Sequence, residues 1–198
     1  MKNVLVLKGE SRFNVLRKAT DEIAQGFRNK GYEVCILDLT IDEEKSKLKS
    51  HIFQPYSFVF SCQALLLDTL CDDGIPLMSK IGKPMIGWIF DDCIYHDFRL
   101  KNCHYDNTYV LMVNGTNVEN MQMMYPATKN MYYLPHGGFC GEENVEKDID
   151  ILVSGNLGKE PVFEDKYDDI MPIERYLVTE SIKILESNPT LSVRQALK

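Results

Sequence analysis

Apolar and polar positions along the chain fall into short blocks that alternate between two periods. Val4-Leu5-Val6-Leu7 is an uninterrupted apolar run closed by Lys8-Gly9-Glu10-Ser11, the pattern of a strand buried on both faces. From Asn14 to Asn29 the apolar positions Val15, Leu16, Ala19, Ile23, Ala24 and Phe27 recur at helical spacing, and Lys30-Gly31 supplies a cation and then a glycine to end the helix. Tyr32 to Leu39 restarts as a strand. A right-handed crossover lays that second strand parallel to the first. Further strands are predicted over Ser57–Ser61, Lys83–Phe90, Tyr109–Val113 and Met131–Leu134, most of them separated by helical stretches. The expected fold class is therefore α/β, a Rossmann-like doubly wound parallel sheet over residues 1–138.

After the sixth strand, Gly137-Gly138 and the acidic segment Gly141–Lys147 read as a linker, placed at 139–147. Asp150-Ile151-Leu152-Val153-Ser154-Gly155 then opens a second unit over 148–198. Only a helix around Ile173–Glu186 and a short amphipathic tail follow, too little for another full doubly wound sheet. The expectation is a truncated start of a second Rossmann-like unit, or helices packing back on the first.

Composition narrows the partners. Hydrophobic residues make up 44% and charged residues 26% of 198, a globular balance. The formal net charge of −7 supplies no basic stripe, which excludes nucleic acid as a first reading and disfavours a membrane surface. No segment approaches ~20 uninterrupted apolar residues, and the opening Met1-Lys2-Asn3 run turns polar too soon for a signal peptide. A cytoplasmic location is expected, with the six scattered cysteines as reduced thiols because they form no CxxC.

In open α/β sheets ligands bind beyond the carboxyl ends of the strands. The residues that follow the predicted strands are polar and glycine-rich: Gly9-Glu10-Ser11, Ser61-Cys62-Gln63, Asp91-Asp92, Asn114-Gly115, His136-Gly137-Gly138 and Gly155-Asn156. βα loops are polar in any case, but six such loops together favour a crevice over plain solvation. Lys8-Gly9-Glu10-Ser11 lacks both GxGxxG and the P-loop pattern, so dinucleotide binding is not signalled.

The most unusual stretch is Trp88-Ile89-Phe90-Asp91-Asp92-Cys93-Ile94-Tyr95-His96, in which a buried strand runs into two carboxylates and then an imidazole. His96 is the candidate general base and Asp91 or Asp92 its orienting carboxylate, since a histidine of near-neutral pKa can take a proton from a hydroxyl. The competing reading is that one carboxylate caps the next helix and the histidine is a surface residue. Cys93, His96, Cys103 and His104 invite a zinc reading, but the adjacent Cys103 and His104 are poorly spaced to face one ion, and no metal is expected. Met121, Met123 and Met124 are expected as helix-face core.

Three of these segments resemble the CgeB-like glycosyltransferases, bacterial proteins of the GT-B fold: Gly87–His96, then Tyr125-Pro126 with Tyr133–Gly138, and Asp148–Gly155. The order and spacing match over residues 1–155. The chain departs from the family at Asp92-Cys93, where histidine-proline is usual after the aspartate, and at Asn114-Gly115, where aspartate-arginine is usual. The resemblance implies an acceptor-side N-terminal domain and transfer of a sugar from a nucleotide-sugar co-substrate to a hydroxyl acceptor, with no further cofactor and no obligatory metal. It also implies a missing C-terminal donor half, or a homo-oligomer or partner domain in its place. On that expectation His96, Asp91 and Asp92 are the catalytic group. Gly9, Glu10, Ser11, Asn114, His136, Gly137, Gly138, Gly155 and Asn156 are the substrate-binding positions, the glycines letting backbone approach acceptor or donor phosphates. Two alternatives remain open from the residues: a non-catalytic nucleotide- or partner-binding module, and a flavodoxin-like or response-regulator-like domain.

Overall fold

In the computed structural model, residues 2–137, 172–191 and 196 are described, and the chain divides into two compact units, Met1–Gly141 and Glu142–Lys198. The first unit is a six-stranded, all-parallel sheet flanked by helices, so the chain is α/β and Rossmann-like. Its strands are β1 Asn3–Lys8, β2 Glu33–Asp38, β3 Phe58–Cys62, β4 Met85–Ile89, β5 Thr108–Met112 and β6 Met131–Tyr133. The helices are α1 Val15–Asn29, α2 Asp42–Ser46, α3 Leu48–Ile52, α4 Leu77–Lys80, α5 Asp97–Leu100 and α6 Gly115–Met124. The six strands predicted over residues 1–138 and the first helix are present within a residue or two of the expected bounds. The second unit contains α7, Pro172–Ser187. The expected linker 139–147 and the strand opening at Asp150 lie outside the described residues.

The spatial order is β2-β1-β3-β4-β5-β6. This is the flavodoxin-like order of a doubly wound sheet extended by one strand. The direction of winding reverses between β1 and β3, which makes the carboxyl end of those strands the place where a crevice opens.

Alternation along β1 sends its side chains to two cores. Val4 and Val6 join Phe60, Cys62 and the inward face of α1 at Ile23, Ala24 and Phe27. Leu5 and Leu7 join Val59, Met85, Ile89, Val110 and Met112 beneath Ile52, Leu67, Met78, Leu100 and Met121 on the other side. All four β1 apolar residues are fully buried, as expected for a strand covered on both faces. The small Ala19 and Ala24 bring α1 close to the sheet, and Phe27 anchors it edge-on against Tyr32, Phe58 and Phe60. Gly31, at φ +81°, ends α1 in the left-handed conformation that glycine adopts without strain. Of the three methionines expected in the core, only Met121 is buried; Met123 and Met124 are about half exposed, because the ten-residue α6 covers the sheet with one face only. Among the described residues no helix is long and apolar enough to cross a membrane.

One ion pair ties the first βαβ unit together at its carboxyl end. Arg17 of α1 donates to both carboxylate oxygens of Asp38 at the end of β2, and also to the Gly9 carbonyl and Thr40 Oγ1. The Arg17 guanidinium, with Thr40 hydrogen bonds, holds the Asp38 carboxyl far below the usual carboxylate range. A carboxylate whose pKa is lowered on folding contributes stability above the unfolded value, and that contribution is lost as pH falls. Asp38→Asn is therefore expected to cost about 1–3 kcal/mol at neutral pH. Urea melts should show the difference from wild type closing as pH drops below about 4.

Candidate functional site

A crevice of about 870 Å³ opens beyond the carboxyl ends of the strands, within the first unit. Its α1 side is Val15, Leu16, Ala19, Glu22 and Ile23; its floor and far rim come from Gln63, Leu65, Trp88, Phe90, Asp91, His96 and Arg99; Glu10, Ser11, His136 and Gly137 complete it. Six of the expected site residues thus meet in one place: Glu10, Ser11, Asp91, His96, His136 and Gly137. Gly138, Gly155 and Asn156 lie outside the described residues.

Three expected residues do other work. Asp92 caps the 3-10 turn Cys93–His96, its Oδ1 accepting from Ile94 N at 3.0 Å, so the two adjacent aspartates divide into a cap and a crevice residue. Asn114 caps α6 in the same manner, accepting from Thr116 N at 2.9 Å. Gly9 is filled from the protein side, since a Cβ there would lie 2.8 Å from Leu65 Cδ1. Ser11 lines the crevice and also caps α1, accepting from Leu16 N at 2.9 Å.

His96 is the centre of the arrangement. It is 8% exposed, and neither ring nitrogen has a hydrogen-bond partner. Its Nε2 stands 3.7 Å from Asp91 Oδ2, too far for a hydrogen bond, so Asp91 acts on it through charge. Burial first, and then the positive Arg99, lower its pKa from the usual 6.5, while Asp91 pulls it the other way. The net shift is downward and favours the neutral imidazole.

Gln63, named above only as part of a polar strand-end loop, holds this geometry. Its Nε2 donates to Asp91 Oδ2, its Oε1 accepts from Phe90 N at 3.2 Å, and its carbonyl accepts from Arg99 Nη1 at 2.9 Å. Arg99 in turn reaches Asp68 at 3.4 Å. Gln63 sits at φ +58°, followed by Ala64 at +50° and Leu66 at +73°, while Phe13 and Asn14 in the β1–α1 loop lie at +57° and +58°. Five non-glycine residues in left-handed conformations, all in the two loops beside the winding reversal, are local strain of the kind that concentrates at ligand sites. Space for the Gln63–Ala64 turn comes from Gly87 in β4, where a Cβ would meet Ala64 Cβ at 2.6 Å and Ala64 Cα at 2.8 Å.

A second hollow of about 530 Å³ adjoins the first, lined by Glu10, Ser11, Asn14, Arg17 and Thr40. In a dinucleotide fold an acid at the end of the second strand grips a ribose. Here Asp38 holds that position and is occupied by Arg17 and Thr40.

Among the described residues no three His, Cys, Asp or Glu side chains gather as a metal site. Cys93 and Cys103 are buried in the core, and desolvation pushes their thiols up to about 11 and about 12, so neither offers a thiolate. No family model, curated protein or solved structure matches the chain.

Proposed function

We propose that this chain is a cytoplasmic, metal-independent glycosyltransferase of the GT-B type, with the resemblance to CgeB-like proteins noted above, and that the crevice receives the hydroxyl acceptor. The observation that carries the reading is His96, a buried imidazole with two unpartnered nitrogens lining the crevice at the carboxyl edge of the sheet. A buried polar group left unsatisfied costs about 1–3 kcal/mol, and an incoming hydroxyl removes that cost by donating to the ring.

The same contact is the start of the chemistry. The acceptor O–H proton passes to a His96 ring nitrogen as the acceptor oxygen forms a bond to the anomeric carbon of the donor sugar. The bond from that carbon to the nucleoside diphosphate oxygen breaks, and the diphosphate leaves with the electron pair. A base for this step has to be neutral before it and stabilised as a cation after it. The lowered pKa of His96 meets the first need, and Asp91 at 3.7 Å meets the second. Gln63 is a positioning residue, since it keeps the Asp91 carboxylate turned toward the ring.

The test is acceptor-dependent release of nucleoside diphosphate from UDP- and GDP-sugars by the full chain, assayed with Mg²⁺ and with a chelator. Release that persists with the chelator is the expected result. A chain that releases no diphosphate from any of these donors contradicts the reading.

A further inference from the structure

The crevice carries a charge pattern of its own. Among the described residues three carboxylates line it, Glu10, Glu22 and Asp91. The arginine among its lining residues, Arg99, is already engaged, donating from Nη1 to the Gln63 carbonyl at 2.9 Å and from Nε to Asp68 at 3.4 Å. The aromatic surface is continuous: Trp88 and Phe90 lie 4.6 Å apart between centroids, and His136 stacks parallel to Phe90 at 6.4 Å and 11°. Ring faces present negative charge, so carboxylates and aromatic faces together attract an ammonium group and repel a phosphate. His96 lines the same crevice and is 8% exposed, with both ring nitrogens buried and neither partnered, so a polar group placed against the ring satisfies a nitrogen the fold leaves unpaired.

We infer that the crevice selects an amine-bearing hydroxylated ring, of the aminosugar or aminocyclitol class, and turns away phosphorylated acceptors. The ring stacks on the Trp88–Phe90 surface, its ammonium faces Glu10 and Glu22, and a hydroxyl reaches His96. The inference rests on the transferase reading only in calling this ligand the acceptor; the charge selectivity is a property of the crevice itself.

Trp88 is the single tryptophan of the chain, so intrinsic fluorescence reports on this crevice. The full chain is titrated at low salt with glucosamine, glucose and glucose 6-phosphate, one ring carrying a positive, a neutral and a negative substituent. Glucosamine is expected to give a saturable change with an affinity at least about tenfold above that of glucose, weakened by added salt, and glucose 6-phosphate to give none. Replacing both acids, Glu10→Gln with Glu22→Gln, is expected to erase the difference between glucosamine and glucose. Equal affinity for those two sugars, tighter binding of the phosphate, or no response to any of the three overturns the inference. Selective glucosamine binding without diphosphate release would remove the transferase reading alone; a working transferase that prefers glucose 6-phosphate would remove this inference alone.

Discussion

Truncating His96 to alanine is expected to lower turnover in the diphosphate-release assay by about 10²–10⁴-fold, the usual range for loss of a positioned general base. The loss should fall mainly on kcat, with a smaller rise in the acceptor KM from the lost hydroxyl contact, because a group that accepts a proton during reaction contributes more to the transition state than to the bound ground state. Stability should change little. The substitution leaves a cavity, but it also removes two buried nitrogens that have no partner in the fold, and these effects oppose each other. Steady-state kinetics beside a thermal melt reads both quantities. Turnover equal to wild type, or a loss fully accounted for by unfolding, removes His96 from the base role.

The second large effect is structural and lies in β4. Gly87→Ala is expected to destabilise the chain by about 1–3 kcal/mol, since the new Cβ would meet both the Cβ and the backbone Cα of Ala64. Ala64 is itself fully buried, so the turn has no free direction in which to retreat. For a chain of this size that cost corresponds to a drop of roughly 2–12 °C in the thermal midpoint. Because Gln63 precedes Ala64 and holds Asp91, the substitution should also reduce turnover of the protein that remains folded. Adding Ala64→Gly removes the 2.6 Å contact and relieves a left-handed φ, so the double variant should recover part of the stability. A Gly87→Ala chain that melts with wild type would show that the turn does not depend on this close approach.

Most of the sheet was legible in the chain because parallel strands buried on both faces leave unbroken apolar runs such as Val4–Leu7. The crevice was legible in part. Strand ends point to loops, and the loops at Glu10, Asp91, His96 and His136 do converge. Asp92 and Asn114 belong to the same polar loop chemistry yet serve as helix caps, and composition alone does not separate a cap from a site residue. Gln63 stood in one of the polar strand-end loops, but its role was not legible, since it depends on a left-handed turn built without glycine. A further trace was Gly87, a glycine inside a buried strand, which marks a close backbone approach from somewhere in the fold. The apolar stripe of α1 hid another feature: Val15, Leu16, Ala19 and Ile23 follow the spacing of core residues, and all four also wall the crevice. A helical period reports only that a face is covered or apolar, and leaves open whether protein or ligand covers it.

A base role for His96 requires a neutral imidazole held in the crevice, and ring nitrogen NMR of the full chain across pH tests this most directly. Four histidines are present, and the His96 signal is assigned by its loss in His96→Gln. The predicted result is a titration midpoint below the ordinary 6.5, set by burial and Arg99 against the pull of Asp91, with the His96 resonances shifting when glucosamine is added. A midpoint at or above 6.5 with resonances indifferent to the sugar would describe a solvated histidine, and would contradict the account.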